Sequence, residues 1–507
     1  MQTLSSPDFK VLYEQEKQQW EQLQAEVMKL QLQLSKFAKM IFGSKSEKFI
    51  PSATNQLSLG ITSETVGAHC KVNEAKQITY IAAAQKKQRE LPELYSYMEA
   101  LPKVYETKEP QNVPKDAQKI GEDVHYQLEI TPANLFVRVT TLPKYKVGVD
   151  AKGKTIIACA AAPERAIKKV IAGASVIATL LNDKYNDHLP VWRQQDRFSR
   201  AGAKLPYNTL LDWCAKGIDH IDPIFEALKK EVLSCDYIHV DETGLKVLRG
   251  SENKKGKKIH DGWLWCYNSS IKKLVFFDYQ PGRGCEWTLG ILEQFNGIIQ
   301  TDGWEAYTKA AKQLKELQVI CCLVHARRKF DEAKGQHKEL AEEALGMFQQ
   351  VYDIERRCKE QGLSYDEITK VRQRETVPIL EELHQWMLQV QKEQALRPSY
   401  AICEAISYAL KRWDKLTYFT KDGKINPDNN PVERSIRPVA LGRNNFFFAG
   451  SHQGAQRLAK IYSLIGTCKI NGIDPREWLE DVITRLNSHP INKIHELLPH
   501  NWKKKEA

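Results

Sequence analysis

"IHVDETGLKV", residues 238–247, sets two acids directly behind an apolar run. Ile238, His239 and Val240 read as a strand, and Asp241 and Glu242 then arrive where that strand should end. A β-rich run finishing in Asp-Glu-Thr-Gly is poor core material. Either the acids shape a turn or they hold something charged. "GIIQTDGWEAY", residues 297–307, repeats the pattern, with Ile298, Ile299, Gln300 and Thr301 leading into Asp302. In open α/β sheets, ligands sit beyond the carboxyl ends of the strands. Two carboxylates brought together there repel unless something positive separates them. Mg²⁺ suits that position, being a hard cation that takes oxygen ligands and works on phosphates.

The surroundings support a mixed sheet. "YIHV", "WLWCY", "KLVFFDY", "GIIQ" and "VICCLV" read as strands, with "CEWTLGILEQF" as a helix between the third and fourth. Residues 331–425 are almost entirely helical. We therefore expect a mixed-sheet domain begun by 235–330, interrupted by a helical insert at 331–425, completed by 426–487 and followed by a basic tail at 488–507. A third acid lies in "INPDNNPVERSIRPVALGRNNFFFAGS", residues 425–451. Asn430, Pro431, Val432 and Glu433 read as N-cap, N1, N2 and N3 of a helix. Glu433 could simply close a capping box. Arg434, Arg437 and Arg443 nearby favour a phosphate-handling site, because Arg grips phosphate oxygens bidentately.

Upstream, residues 8–42 carry Trp20, Val27, Leu34 and Ile41 every seven positions, with Leu23, Leu30 and Phe37 three residues later. That is an a/d seam for a dimerising coiled coil, or else an amphipathic helix packed on its own subunit. Residues 43–84 read as linker, and 85–160 as a small β-rich module of short strands and turns. Residues 165–220 turn helical, and "PVWRQQDRFSRAG" followed by "AKLPYNTLLDWCAKGI" suggests helix, turn, helix, with Pro206 in the first turn of the second helix. Arg193, Arg197, Arg200 and Lys204 cluster at the turn and Asn208 follows it. This is either a DNA-reading helix-turn-helix or a solvated basic connector. The net charge of +11 suits a nucleic-acid partner without requiring one. The 11 cysteines form no CxxC pair, the N-terminus lacks a signal peptide, and no long apolar run suggests a membrane span, so a cytoplasmic protein with reduced thiols is expected.

These residues also carry a family resemblance. The chain resembles a bacterial DDE transposase of insertion-sequence family sixty-six, transposase C type. The stretches that carry it are "FGSKSEK" (42–48), "GEDV" (121–124), "NDKYNDHLPVWRQ" (182–194), "HVDET" (239–243), "TDGW" (301–304), "CLVHARRKF" (322–330), "DNNPVERSIRP" (428–438), "GRNNFFFAGSHQGA" (442–455) and "NGIDPREWL" (471–479). The resemblance implies a ribonuclease-H-like α/β core with a long helical insert, and Asp241, Asp302 and Glu433 as the catalytic and metal-binding triad. Two Mg²⁺ ions, with Mn²⁺ tolerated, would clamp the attacking and leaving oxygens of an in-line displacement. The expected partners are terminal inverted repeats and target DNA, a second copy of the chain, and accessory proteins of the same element. The protein would associate with the nucleoid when bound to DNA. Arg327 and Arg328, after a "CLVH" strand, would neutralise backbone phosphates. One departure stands out: family members often carry two CxxC pairs ahead of the catalytic domain, and this chain has no cysteine between Cys70 and Cys159, so no zinc is expected. Two alternatives stay open, a non-catalytic DNA-binding protein and a nuclease that cuts without joining.

Overall fold

The computed structural model describes residues 101–110, 117–131, 134–149, 155–248, 259–393 and 401–504. The heptads of 8–42 and the linker of 43–84 lie outside these residues. Strands β1 (Lys103–Thr107), β2 (Gln118–Thr131), β3 (Asn134–Val149) and β4 (Thr155–Cys159) form the first sheet. β2 and β3 run 14 and 16 residues, longer than the short strands expected, while β1 and β4 are 5 residues each. They pair antiparallel; β1 lies parallel to the first half of β3 and β4 antiparallel to its second half. Leu128, Val137 and Val139 bury one end of this ribbon in the main core.

Four helices follow: α1 (Ala174–Tyr185), α2 (Val191–Arg200), α3 (Tyr207–His220) and α4 (Asp222–Leu233). Pro206 stands just before α3, as its N-cap, and not within its first turn. The second sheet holds β5 (Tyr237–Leu248), β6 (Ile259–Ser269), β7 (Leu274–Gln280), β8 (Gly297–Thr301) and β9 (Leu317–Cys321), in the order β7-β6-β5-β8-β9. The first three strands are antiparallel, and β8 and β9 then add parallel beyond β5. Helices α5 (Cys285–Leu292) and α6 (Glu305–Gln313) make the two crossovers. The result is a mixed α/β sheet of the kind the strand pattern suggested.

After β9 the chain is helical: α7 (Leu323–Ala333), α8 (Lys338–Glu360), α9 (Tyr365–Val371), α10 (Val377–Glu393), α11 (Ala401–Leu410) and α12 (Trp413–Leu416). These bury a core of their own around Phe330, Phe348, Leu383 and Ile406. Arg372, only 3% exposed, ties this layer together by pairing with Glu355 and donating to the carbonyls of Phe419, Asp422 and Ile425. The "CLVH" segment is not a strand: Cys322 caps α7, so Arg327 and Arg328 lie on a helix. Then come α13 (Asn430–Phe446), α14 (His452–Ile470) and α15 (Pro475–Arg485). The stretch expected as a basic tail packs back on α15, with Trp478 Nε1 donating to Leu497 O and Trp502 Nε1 to Asp481. No helix among the described residues is long and apolar enough to cross a membrane.

An open sheet edge would template unwanted pairing. At β7 that edge is sealed by α14. Thr467 Oγ1 donates to Val275 O and accepts from Val275 N, at 3.0 and 3.2 Å, and Ser463 Oγ accepts from Phe277 N at 2.7 Å. Gly466, beside them, allows the approach, since a Cβ there would meet Val275 Cγ1 at 2.9 Å. Thr467→Val keeps the shape but leaves both Val275 backbone groups buried and unpaired, so it should cost about 1–3 kcal/mol. Urea titration at constant m-value measures this, and an unchanged midpoint would mean the helix does not hold the edge.

Candidate active site

Asp241 does not end its strand. β5 continues seven residues to Leu248, because the antiparallel ladder with β6 carries it onward from His239↔Asn268 to Leu248↔Ile259. What stops is the parallel partner. β5 and β8 pair only through His239↔Gln300, and β8 ends at Thr301. Asp241 and Asp302 each lie two residues past that last pair, on strands about 4.8 Å apart. Sequence reading therefore found the right edge of the sheet, but that edge belongs to β8.

Glu433 reaches the same edge through α13. The helix begins one residue earlier than the spacing suggested: Asn429 is the N-cap and its side chain caps nothing. Glu433 therefore closes no capping box. Asn429 Oδ1 instead accepts from His239 Nδ1 at 2.9 Å, and its Nδ2 donates to Val240 O at 3.1 Å. Glu433 N donates to Asn429 O, placing the glutamate one turn, about 6 Å, further along the helix. Asp241 lies two residues, about 6.6 Å, beyond His239 on the same face of β5. The charge of Glu433 reaches Asp241, as the smallest of the three acidic influences on it.

A buried polar cluster fixes this junction. His239 is fully buried, and burial drives its pKa down to about 4. It is thus neutral at pH 7, with its proton assigned to Nδ1, while Nε2 faces Asn426 Nδ2 at 3.1 Å and Ser270 Oγ at 3.2 Å. Tyr237 OH donates to Gln300, and Gln300 Nε2 donates to Asn426 O. Asn268 Nδ2 donates to Ser435 Oγ at 3.0 Å, holding α13 one turn further on. Cys322 Sγ accepts from Asn429 N, and burial pushes that thiol up to about 12. Cys322 is a packing thiol at this junction.

Asp302 and Glu433 both act electrostatically on Asp241. The Asp241 pKa is raised to about 7, by burial first and then by the charges of Glu242, Asp302 and Glu433 in that order, against a lowering bond from Glu242 N. Asp302 Oδ1 accepts from Trp304 N at 2.8 Å. His325 feels both Asp302 and Glu433, although burial lowers its pKa overall. Its Nδ1 is buried without a hydrogen-bond partner. No three His, Cys, Asp or Glu side chains among the described residues close on a single ion. Mg²⁺ does not need such a cage: it binds through one or two carboxylates and keeps its other positions for water and phosphate.

The arginines separate into groups. Arg434 and Arg437 are exposed on α13, Arg328 is exposed on α7 and Arg327 half-buried there. Arg443 turns back to β5, half-buried, and donates to Gly244 O. On α2, Arg197 pairs with Asp183, and Arg193 stacks on the exposed Trp192. Arg200, Lys204 and Asn208 are exposed around the turn. Sequence reading named Glu242 without giving it a role, and passed over Asp428, Arg283 and the His239–Asn429 pair. The "DET" and "DNN" triplets contained three of these, but nothing in spacing says which residue of a triplet turns inward.

The chain matches the family described as Transposase IS66 family over residues 169–457. It also matches the IS66 C-terminal element over 463–500 and the description Transposase C of IS166 homeodomain over 29–104. The first match spans more than half of the chain, and the chain belongs to the IS66 family of transposases. Among its relatives are two uncharacterized proteins of Sinorhizobium fredii (strain NBRC 101917 / NGR234). The protein y4hP is 33% identical over 414 residues, covering 77% of this chain and 72% of its own. The protein y4jD is 32% identical over 398 residues, covering 76% of each.

Asp241 makes a pH signature. Its folded pKa of about 7 exceeds the ordinary 3.8, so the folded state holds the proton more tightly than the unfolded chain. Its contribution to stability is therefore lost as pH rises from about 4 to about 7. In EDTA, wild type minus Asp241→Asn should show melting temperature falling across that window. Mg²⁺ should restore more stability at pH 8 than at pH 5. A pH-independent difference would mean that Asp241 ionises as an ordinary surface acid.

Proposed function

We propose that the protein is a DDE-type transposase that binds the terminal inverted repeats of its element and catalyses strand cleavage and strand transfer. The observation that carries this reading is the placement of Asp241 within β5, Asp302 just past the end of β8 and Glu433 on α13, with the charges of Asp302 and Glu433 both acting on Asp241. The order of three antiparallel strands followed by two parallel ones, with the glutamate delivered after a helical layer, supports a ribonuclease-H-like core.

Asp241 with Asp302, and Asp241 with Glu433, would hold two Mg²⁺ ions, with Mn²⁺ tolerated in their place. Bound there, such ions supply Lewis-acid stabilisation to the attacking and leaving oxygens of a phosphodiester displacement. The chain's own residues do the positioning. The buried Asn429–His239 junction holds Glu433 in register, and the Trp304 N–H orients the Asp302 carboxylate. Arg328, Arg434 and Arg437 face solvent around the site and suit sequence-blind phosphate contacts. The reaction is an in-line displacement, by water at the element's end and then by the freed 3′-hydroxyl on target DNA. No covalent link between protein and DNA is needed. The active form is an oligomer, at least a dimer.

Asp241→Asn, Asp302→Asn and Glu433→Gln should each lower cleavage of an end-bearing duplex by roughly 10²-fold or more, while gel-shift affinity stays near wild type. Near-normal cleavage in any one removes that residue from the triad. A strand-transfer assay on the wild type separates the transposase from a nuclease that only cuts.

End recognition we assign to residues 190–216, with the homeodomain match at 29–104 as a second reader. Lys204→Ala and Asn208→Ala should weaken terminal-repeat DNA by about 1–3 kcal/mol and spare random duplex. Competition binding measures it. Equal losses on both duplexes would make 190–216 a backbone clamp and leave recognition to 29–104.

A further inference from the structure

We infer that Arg283 is a phosphate-binding residue on the Glu242 face of the sheet, beside the Trp304 that follows Asp302, its ligand the sugar–phosphate backbone of bound DNA. The inference rests on the DNA-processing reading above and adds a contact that neither the sequence pattern nor the family match assigns.

Arg283 is held on three sides. Its Nε donates to Glu242 Oε1 at 2.8 Å and its Nη2 lies 2.6 Å from the same oxygen. The guanidinium carbon stands 4.7 Å from the Trp263 ring centroid and 4.4 Å from that of Trp304. Trp304 in turn stacks on the buried Trp265 and donates its backbone N–H to Asp302. Two indoles this close to a planar cation restrict its rotation, and cation–π attraction holds it there.

Glu242 is the anchor. Its side chain is 2% exposed, and Tyr307 OH donates to its second oxygen at 2.7 Å. Alternation along β5 turns Glu242 to the face opposite Asp241, so it is poorly placed to join the metal-binding acids. Its charge is nevertheless felt by Asp241, and Asp302 acts on it in turn. A buried ion pair of this kind is weak evidence for stability, because desolvating the carboxylate offsets the attraction. What the arrangement does deliver is an oriented guanidinium. Glu242 occupies its Nε–Nη2 edge, leaving the Nη1–Nη2 edge turned away, on a side chain that is still 43% exposed. That edge is the fork that grips two phosphate oxygens at once. Because Arg283 lies against Trp304, whose N–H holds Asp302, a phosphate gripped there would fix the DNA strand relative to the acids.

The test separates a DNA contact from a mere counter-ion. Glu242→Gln with Arg283→Gln removes the buried charge and its partner together, and the amide oxygen introduced in place of the Glu242 carboxylate can still accept from Tyr307. We expect this double variant to melt like wild type, while the slope of log affinity against log salt for a duplex becomes shallower by about 0.9, one phosphate contact. Glu242→Gln alone should keep the wild-type slope, since the guanidinium remains. A wild-type slope in the double variant overturns the proposal and leaves Arg283 as the counter-ion of Glu242. If the double variant does not fold, Arg283→Lys decides: it still neutralises Glu242 but loses the fork. Binding weaker by about tenfold supports the contact, and wild-type binding overturns it. Because the readout is affinity, a wild-type protein that binds but does not cut sinks the transposase reading without touching this one. A wild-type protein that binds no duplex sinks both.

Discussion

Everything at the site depends on one side chain, Asn429. It stands where a helix cap would normally satisfy its own helix, yet it commits both ends of its amide to β5, accepting from His239 and donating to Val240 O. The bare helix start is thereby docked on the strand at a fixed height. Its own backbone N–H goes to Cys322 Sγ at the start of α7, so three elements distant in sequence meet at one residue. A helix bearing Glu433 could otherwise slide along the sheet, since the apolar contacts of Val432 and Val439 specify a face but not a register. At the far end Arg443 and the Val247↔Ala449 bridge repeat the attachment.

This docking forces acids together at a cost the fold does not relieve by itself. Asp241 is partly buried beside three like charges and holds its proton to about pH 7. Neighbouring polar groups are satisfied far better: His239 is neutral and bonded at both nitrogens, and Glu242 has Tyr307 and Arg283. The sheet thus presents two contrasting faces. One is a closed aromatic layer of Trp265, Trp304 and Tyr307. The other carries Asp241, on which the charges of Asp302 and Glu433 act.

Much of the central sheet was legible because its strands are short apolar runs set apart by turn residues, and because Asp302 falls where β8 ends. The continuation of β5 through "DETGLKVL" was not, since strand there is imposed by the ladder with β6 and not by propensity. The same tertiary override explains "CLVH". Leu, Val and His suit either state, and the helix starts where Leu323 N finds Pro427 O, a partner more than a hundred residues away. Glu433 was singled out from its arginine-rich setting, but its helix position was misjudged by one residue because Asn429 and Asn430 are equally good caps on paper. Arg283 was missed for a related reason. "PGRGC" reads as a turn, and only the folded sheet brings Trp263, Trp304 and Glu242 around it.

The central claim is that Asp241, Asp302 and Glu433 form one cation-binding site against the Asn429-docked face of β5. Anomalous scattering from crystals of the protein bound to a DNA end and soaked in Mn²⁺ tests it most directly. The account predicts two peaks, one between Asp241 and Asp302 and one between Asp241 and Glu433. Peaks placed on Glu242 or Asp428 instead, or a Glu433 side chain turned away from any bound ion, would contradict it.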